Sequence, residues 1–378
     1  MGKSTAFDYK LADAQATAVE PVEPRDFPFE AYAQYEAALR QRCRHFQAAD
    51  SGVLVYRRMR VSECFSYGCR NMEDSLRWQL GALAASMQYR ADVPNFLEPW
   101  YGIGVVASAF GTEYVWEPGQ APAMRPRFQS SAEALASATT AVCETPIGRH
   151  TLAMIDYFLH ESRALLPMSL CDVQSPLSVA CNLVNAGHFC TDLVDCPDGA
   201  TALLERASRL LVEFTHAQLR RIGAAIVWPG HGFASCRDFR GLGISEDNVL
   251  ILSNAMYGQY VAPSFTAAGD EFGGVAFHSC GNWAGKIPVV RTLPGLRMID
   301  GAFSAATDPK PNLPGPFRDA TVQSGVVLNA RIVGDVATIV ETVKQLWAPG
   351  MKLIVVTYCP TPAEQAEAYA KIHELCRT

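Results

Sequence analysis

The chain has 378 residues, a formal net charge of −6, and 49% hydrophobic against 19% charged residues, which is enough apolar material for a sizeable core. The lack of a lysine–arginine cluster argues against a nucleic acid partner, and no apolar run approaches the roughly 18 residues of a membrane helix. The polar first 20 residues lack the apolar core of a signal peptide, and the 12 cysteines are scattered, so we expect free thiols in a reducing, cytoplasmic compartment.

The N-terminal part of the chain differs from the rest. Residues 1–27 lack apolar periodicity and are predicted to form a loosely held arm. Apolar residues at helix spacing predict a helix over 29–49. Residues 1–50 are therefore interpreted as an N-terminal extension, and residues 51–378 as one larger domain.

An alternation of strands and helices fills the larger domain. Strands are expected over residues 52–56, 166–173, 224–228, 274–279, 296–299, 326–329 and 352–358. Helices are expected over residues 74–88, 148–162, 176–186, 200–222, 257–268, 286–292, 335–346 and 362–376, and the type of 94–106 stays open. Alternating units imply a parallel sheet, and about eight of them imply a closed (β/α)8 TIM barrel. An open doubly wound sheet is the alternative, but no Gly-x-Gly-x-x-Gly follows any strand.

Two of the predicted strands end in metal-binding residue types. His278 and Cys280 lie two apart at the end of one apolar run, so their side chains point to the same side. Cys359 ends the last run, directly before a proline. If the two strands are parallel neighbours, all three groups meet at one rim. One nitrogen and two sulfur ligands with a vacant fourth position are typical of catalytic zinc.

The same rim is predicted to carry further polar and aromatic residues. They are Arg57, Arg58, Arg60, Asp172, Gln174, Trp228, His231, Asp300 and Asn329. Barrel enzymes place their chemistry at the C-terminal ends of strands. His231 is a candidate to orient substrate or to act as acid or base, with a plain loop histidine as the alternative. Asp300 is a candidate catalytic residue or fourth metal ligand, with an N-cap or ion-pair partner as the alternative.

The residues 277–282, Phe-His-Ser-Cys-Gly-Asn, resemble the zinc motif of the methyltransferase branch of the uroporphyrinogen decarboxylase superfamily, in which His-x-Cys is followed near the chain's end by one Cys. Residues 172–177 resemble the D-x-Q-G-P-L turn of that superfamily, 257–263 its Y-x-x-F-V-x-P helix, and 361–365 its closing T-P-P-E-N. The resemblance covers roughly residues 50–376. It implies a (β/α)8 barrel with His278, Cys280 and Cys359 as zinc ligands.

One segment departs from the decarboxylases of this superfamily. Residues 56–61 keep arginines but lose the spacing of the M-R-Q-A-G-R segment, and its catalytic aspartate has no counterpart between 61 and 68. The resemblance therefore favours zinc-dependent methyl transfer involving a corrinoid, with porphyrinogen decarboxylation as the alternative. A non-catalytic corrinoid-binding module is a further alternative, but it needs a D-x-H-x-x-G loop that the sequence lacks. The cobalamin is thus expected on a separate corrinoid protein, and a homodimer is left open.

Zinc can serve this transfer in two ways: by activating a thiol acceptor, or by acting as a Lewis acid on a methyl ether. We prefer demethylation of a methoxylated compound, because Trp228, Tyr257 and Trp283 are expected to wall the barrel mouth. The glycine-rich insertion 232–248 is expected to fold over that mouth. Gln174 and Asn329 are expected to contact the substrate together with Trp228 and Tyr257.

Overall fold

The computed structural model describes residues 14–65, 70–99, 102–116 and 121–377. Its regular strands are β1 (Gly52–Arg57), β2 (Tyr114–Val115), β3 (Ala123–Met124), β4 (Leu242–Ser245), β5 (Val275–His278), β6 (Leu296–Ala302), β7 (Val327–Ile332) and β8 (Lys352–Thr357). Six of them form one parallel sheet in the order β1-β8-β7-β6-β5-β4, and β2 and β3 form a separate antiparallel pair. Because the first and last strands are paired neighbours, the sheet curves round in the manner of a barrel and not of an open doubly wound sheet.

Isolated backbone hydrogen bonds continue the ring between β1 and β4. Parallel bridges join Leu97 to Met168 and Met168 to Ile226. The bonds that connect the successive segments are Asp92 N to Val55 O, Leu97 N to Pro167 O, Met168 N to Ala225 O, and Gly243 N to Pro229 O. The predicted strands 166–173 and 224–228 are thus reduced to isolated bridges. The predicted α/β barrel is confirmed, with short pairings in place of full ladders in this sector.

Helices surround the sheet. They are α1 (Phe29–Ala48), α2 (Met72–Ser86), α3 (Ser131–Ala136), α4 (Pro146–Glu161), α5 (Pro176–Val184), α6 (Ala186–Asp195), α7 (Pro197–Ile222), α8 (Asn254–Met256), α9 (Ala262–Ala267), α10 (Ile287–Val290), α11 (Pro314–Thr321), α12 (Val336–Leu346) and α13 (Pro362–Leu375), with a π-helical turn over Tyr257–Val261. Within the described ranges, no helix is both long and apolar enough to cross a bilayer.

The predicted N-terminal helix closes one end of the barrel. Cys43 and Phe46 of α1 belong to the cluster of side chains inside the ring, together with Ile354 of β8. The Nζ of Lys352, at the start of β8, donates to the carbonyl oxygen of Gln47 at 3.0 Å, near the end of α1. The N-terminal extension is therefore packed onto the barrel, and residues 1–13 of the predicted arm lie outside the described residues.

The glycine-rich stretch 232–248 enters the barrel instead of folding over its mouth. Phe233, Cys236 and Phe239 are buried in the interior cluster. The same stretch contains β4, a strand that the sequence did not indicate. Gly243 of β4 has no room for a side chain, since a Cβ there would lie 2.8 Å from the Phe233 ring. The expectation of a lid is therefore corrected: this segment fills the interior and then adds a strand.

Asp92 fastens three elements around the barrel. Its carboxylate, 2% exposed, accepts hydrogen bonds from the backbone N of Val55 at 2.9 Å and from Arg42 of α1 at 2.7 Å. It also contacts Tyr369 Oη at 2.7 Å and His373 Nε2 at 2.8 Å, both in α13. One buried carboxylate thus holds α1, β1 and α13 together.

Candidate metal centre

The end of β5 brings together His278 and Cys280. The strand stops at His278, and the chain turns at Gly281, whose φ of +72° favours glycine. The Nε2 of His278 lies 3.7 Å from the Sγ of Cys280. Cys280 is exposed, whereas the side chain of His278 is 15% exposed. Two metal-ligating atoms of different chemistry therefore meet at the C-terminal end of one strand.

Asp247 is the third member of the group. β4 lies beside β5, with Ser245 in register with His278, so the residues just after β4 border the same site. Asp247 Oδ1 lies 3.9 Å from His278 Nε2 and accepts a hydrogen bond from the backbone N of Cys280. One ligand atom from each of the three residues lies within 4.8 Å of the others, and the described chain contains no second group of this kind.

Asp300, at the centre of β6, orients the histidine. Its carboxylate lies 2.7 Å from His278 Nδ1, accepts from Asn329 Nδ2 at 2.6 Å and accepts from Arg331 Nε at 2.9 Å. It is completely buried; burial raises its pKa, but the charges of Arg331 and His278 outweigh burial and hold that pKa below its usual range. Asp300 is therefore a carboxylate behind the histidine and not a fourth ligand, and it fixes Nε2 toward Asp247 and Cys280.

The protonation of His278 follows from the same contacts. Burial lowers its pKa, but the Asp300 carboxylate and, to a smaller extent, the Cys280 thiol outweigh burial and raise that pKa to about 10. A metal at Nε2 needs the neutral ring, so binding would release the proton from this nitrogen while Asp300 keeps its hydrogen bond to Nδ1.

Cys359 does not join the group. Val356 and Tyr358 face the interior of the barrel, so the period of two places Cys359 on the outer side with Val355. Burial raises the pKa of its thiol to about 11, against the effect of the nearby Arg57 charge. The side chain therefore lies beside Arg57 and not at the end of β5.

The connection after β8 explains this placement. β8 ends at Thr357, and α13 begins at Pro362 with Thr361 as its N-cap. Four residues leave no loop that could carry the Cys359 thiol across the mouth, and its carbonyl is held by Arg57 Nε at 2.9 Å. The expectation that three ligands meet at one rim is corrected: His278 and Cys280 meet there, and Asp247 takes the third place.

The match to known families covers the part of the chain that builds this site. Residues 99–300, more than half of the chain, match the family model described as uroporphyrinogen decarboxylase (URO-D). The chain belongs to the uroporphyrinogen decarboxylase family. This membership confirms the predicted resemblance and the barrel fold.

A solved structure shares the fold of this family member. A methyltransferase from Methanosarcina mazei aligns with a TM-score of 0.62 at 13% sequence identity, covering 89% of this chain and 98% of that chain. At this identity the likeness concerns the fold. The search of curated proteins found no match.

His231 is paired with a buried carboxylate in this member of the family. Its Nδ1 is 2.9 Å from Glu98 Oε1, and Arg58 Nη2 lies 3.4 Å from the same oxygen. Burial raises the pKa of Glu98, but the charges of Arg58 and His231 outweigh burial and lower it to about 2. His231 is thus held by a carboxylate that the sequence analysis did not single out. His231 is not a member of the group formed by Asp247, His278 and Cys280.

The D-x-Q turn of the family lies beside the metal-binding group. Asp172 accepts hydrogen bonds from Gln174 Nε2 at 3.1 Å and from Ser245 Oγ at 3.3 Å, and burial raises its pKa. Gln174 is 4% exposed and uses its amide to hold Asp172. Gln174 therefore has a structural role in holding Asp172, and its contact with a substrate stays a prediction.

The three aromatic residues that were expected to line the barrel mouth pack elsewhere in the structure. Tyr257 is fully buried and donates to Glu246 at 3.3 Å, and Trp283 is fully buried with its Nε1 donating to the carbonyl of Asp300. Trp228 stacks on Phe272, which precedes β5 and lies at the opposite end of that strand from His278. Large aromatic side chains fill the core here, since burying them is favourable wherever space exists.

Asn329 is also engaged within the protein. It is fully buried, its Nδ2 donates to Asp300 and its Oδ1 accepts from the backbone N of Ala234 at 3.1 Å. Both ends of the amide are used, so Asn329 holds Asp300 in place behind the candidate metal-binding group.

Sequence reasoning missed Asp247, Glu246 and Glu98. The available signal for the first two was a short apolar stretch, Leu242-Gly-Ile-Ser, followed directly by Glu246-Asp247. Polar residues at the end of a parallel strand mark the active face of a barrel. The surrounding glycines concealed that strand, and its acidic residues were therefore overlooked.

Proposed function

We propose that the chain is a zinc-dependent methyltransferase that moves a methyl group between a small substrate and a corrinoid carried by a separate protein. The observation that carries the proposal is the group of one carboxylate, one imidazole and one thiol within 4.8 Å at the C-terminal end of the barrel. Membership of the uroporphyrinogen decarboxylase family and the shared fold with a methyltransferase support it.

The donor set fits zinc. Zinc takes histidine nitrogen, cysteine sulfur and carboxylate oxygen as ligands, and three protein ligands leave one position for a substrate. The 3.7 Å and 3.9 Å separations from His278 Nε2 bring Cys280 and Asp247 to ligand spacing. The hydrogen bond from Asp300 to His278 Nδ1 is the usual support of a zinc-bound histidine. Asp247, His278 and Cys280 would therefore hold the ion.

The residues of the site have separate roles in holding the metal and in orienting its ligands. A zinc ion supplies Lewis acidity toward a thiol or ether at its open position. Asp300 keeps the imidazole of His278 in one orientation, and Asn329 and Arg331 keep Asp300 in place. Cys280 and Asp247 occupy the exposed side. A substrate therefore approaches from the same side as a partner protein that docks on the barrel mouth.

Porphyrinogen decarboxylation is the second candidate, because the matching family model is described as uroporphyrinogen decarboxylase. The arginines at the end of β1 argue against it. Arg57 is 1% exposed, and its guanidinium is used by the carbonyls of Cys359 and Arg58 and by Thr17. Arg58 is 4% exposed and holds Glu98 and the carbonyl of Gly232. These two cations serve internal contacts and are poorly placed to grip several carboxylates of a large tetrapyrrole.

The choice between a methyl ether and a thiol is left to experiment. The preference for a methoxylated ring rests on three aromatic side chains, of which Tyr257 and Trp283 are buried in the core and Trp228 stacks on Phe272. Both directions of transfer fit a site with one open position. The proposal therefore covers a small methyl donor or acceptor of either kind.

A pair of methyl-transfer assays tests the proposed function. The zinc-loaded protein is incubated with reduced cobalamin and a panel of methyl ethers, and separately with methylcobalamin and a panel of thiols. We expect turnover in one assay, loss of it with a chelator, and loss of at least about 100-fold in Cys280→Ser, because that residue supplies the thiolate ligand. Spectroscopy of the cobalamin reports the transfer.

The matched control is Cys196→Ser, the same change at an exposed cysteine between α6 and α7. It should keep full activity. Chelator-insensitive release of CO2 from uroporphyrinogen, with no methyl transfer in either assay, would replace the proposal by the decarboxylase.

A further inference from the structure

One loop inside the barrel reaches the back of the metal centre. Residues 228–239, which we name the interior loop, precede β4. Trp228 and Cys236 exchange backbone hydrogen bonds of 3.1 and 3.0 Å, and Ser235 Oγ accepts from the backbone N of Gly230 at 2.9 Å. The interior loop is thus closed on itself and enters the ring as one unit.

Phe233, in the interior loop, packs against the imidazole of His278. The two rings meet edge to face, with centroids 6.2 Å apart and an interplanar angle of 78°. The Phe233 residue is 1% exposed and also lies against β4, where a Cβ on Gly243 would come within 2.8 Å of the ring. Because side chains in such a close-packed place have no spare room, the imidazole cannot turn toward Phe233 without displacing it.

The backbone of the interior loop supports the carboxylate behind the histidine. The backbone N of Ala234 donates to Asn329 Oδ1 at 3.1 Å, and Asn329 Nδ2 donates to Asp300 at 2.6 Å. Asp300 in turn lies 2.7 Å from His278 Nδ1. Ala234, Asn329 and Asp300 are completely buried, so these contacts are shielded from water. The interior loop therefore reaches His278 twice, once through an aromatic ring and once through an amide and a carboxylate.

The N-terminal helix α1 holds the far end of the interior loop. Arg237 donates to both carboxylate oxygens of Glu36, at 2.6 and 3.2 Å, and Glu36 is 5% exposed. Asp238 accepts from Arg40 Nε at 2.9 Å and from Arg44 Nε at 3.0 Å. A bidentate pair of guanidinium and carboxylate fixes geometry in addition to providing stability. Two neighbouring residues of the interior loop are thus bound to three residues at helical spacing on one face of α1.

We propose that α1 and the interior loop position the metal centre, with Phe233 and Asp238 as positioning residues that act through His278 and do not bind the ion themselves. The inference rests on the metal centre of the proposed function. It gives a role to the N-terminal extension, which lies outside residues 99–300 of the family match. Groups that fix the orientation of a metal-binding histidine change metal affinity without being ligands. A helix that is distant in sequence from the ligands therefore contributes to metal affinity.

Co²⁺ binding to the full chain tests Phe233. Co²⁺ is the probe, since its visible absorption reports both occupancy and ligand geometry, and competition with a chelator gives its affinity. Phe233→Leu keeps an apolar side chain but removes the ring edge, so we expect Co²⁺ to bind about tenfold more weakly and its absorption to change. Where Phe233→Leu fails to fold, Phe233→Met is measured in its place.

The matched control for this change is Phe158→Leu. Phe158 is fully buried in α4 and belongs to a different hydrophobic cluster from Phe233. Both substitutions remove a buried ring and should lower the melting temperature. Phe158→Leu should nevertheless keep the Co²⁺ affinity and the absorption spectrum of the parent.

A double variant tests the contacts from α1. Glu36→Gln with Asp238→Asn keeps the shapes of both side chains but removes the charges that hold three arginines, and we expect Co²⁺ to bind at least about threefold more weakly. The matched control is Asp156→Asn with Glu271→Gln, which removes two exposed carboxylates from ion pairs elsewhere on the protein. The control should bind Co²⁺ as the parent does. Melting temperatures show which variants are folded.

The outcomes separate this inference from the proposed function. Weaker Co²⁺ binding in the Phe233 variant and in the α1 double variant, with both controls unchanged, would support the inference even where the parent shows no methyl transfer. Parent-like affinity in either of these variants would overturn it and leave the metal centre standing. Equal weakening in Phe158→Leu would also overturn it, because the effect would then follow general stability. A parent protein that binds no Co²⁺ would overturn the metal centre and this inference together.

Discussion

Asp300→Asn is expected to weaken zinc binding by about 10- to 100-fold, because the carboxylate that orients a metal-binding histidine is lost. The change keeps the size of the side chain but removes the charge that His278 Nδ1 and Arg331 Nε both contact. Arg331 is left in the interior without its counter-charge, and an unpaired buried charge costs about 3–5 kcal/mol of stability. Competition with a chromophoric chelator measures the affinity, and urea denaturation of the metal-free protein measures the stability.

The matched control for this change is Asp270→Asn, the same substitution at an exposed aspartate that precedes β5 and lies at the other end of the barrel. It should alter neither quantity. A folded Asp300→Asn variant that binds zinc as tightly as the parent would show that His278 is not the ligand supported by this carboxylate.

Asp92→Ala is expected to destabilise the protein by about 3 kcal/mol, near the lower end of the range for breaking a buried ion pair. The lower end applies because Arg42 is 47% exposed in its side chain and can be solvated when its partner is removed. The loss comes from the four donors that the Asp92 carboxylate gathers from α1, β1 and α13. Urea denaturation at neutral pH measures the change.

The pH dependence of stability provides a second test of Asp92. Burial raises its pKa, but the contacts with His373, Tyr369 and Val55 N outweigh burial and lower the pKa. A carboxyl group with a lowered folded pKa stabilises the protein above its unfolded pKa of about 4, and this contribution is lost as the pH falls through the folded value. The parent protein should therefore lose stability in acid more steeply than Asp92→Ala does.

Asp156→Ala is the control for this pair of measurements. Its ion pair with Arg221, at 3.3 Å, lies on the surface, and such pairs contribute at most about 1 kcal/mol. Equal losses of stability in Asp92→Ala and Asp156→Ala would contradict the conclusion that the buried Asp92 carboxylate holds α1, β1 and α13 together.

Long apolar runs made the centre of the barrel predictable. The expected strands 326–329 and 352–358 correspond to β7 (Val327–Ile332) and β8 (Lys352–Thr357), and the helix expected over 335–346 corresponds to α12 (Val336–Leu346). Burial on both sides requires continuous apolar sequence in such strands, and that signal is strong. The sector between β1 and β4 uses isolated backbone bridges, which leave no comparable pattern in the sequence.

The composition of the metal-binding group was only partly predictable. The spacing of His278 and Cys280 placed both on one side of the chain, because strand geometry alone determines this. The position of Cys359 depended on the register of β8 and on the length of the following connection, neither of which the sequence displayed. Asp247 depended on β4, a four-residue strand that contains a glycine.

The roles of Trp228, Tyr257 and Trp283 could not be predicted from residue type. An aromatic residue near the end of a strand can line a mouth or fill the core, and the choice depends on neighbours that are distant in sequence. Trp283 packs 4.6 Å from the Phe317 ring, and Trp228 stacks on Phe272. Tertiary packing determined the outcome in each case.

Zinc content of matched cysteine variants tests the central claim most directly. The parent protein and Cys359→Ser are expected to hold about one zinc per chain, whereas Cys280→Ser and Asp247→Ala are expected to lose most of it at equal free zinc. Both cysteine variants change one sulfur to one oxygen, so they differ only in position. Loss of zinc from Cys359→Ser, together with its retention in Asp247→Ala, would contradict the assignment of the metal centre to Asp247, His278 and Cys280.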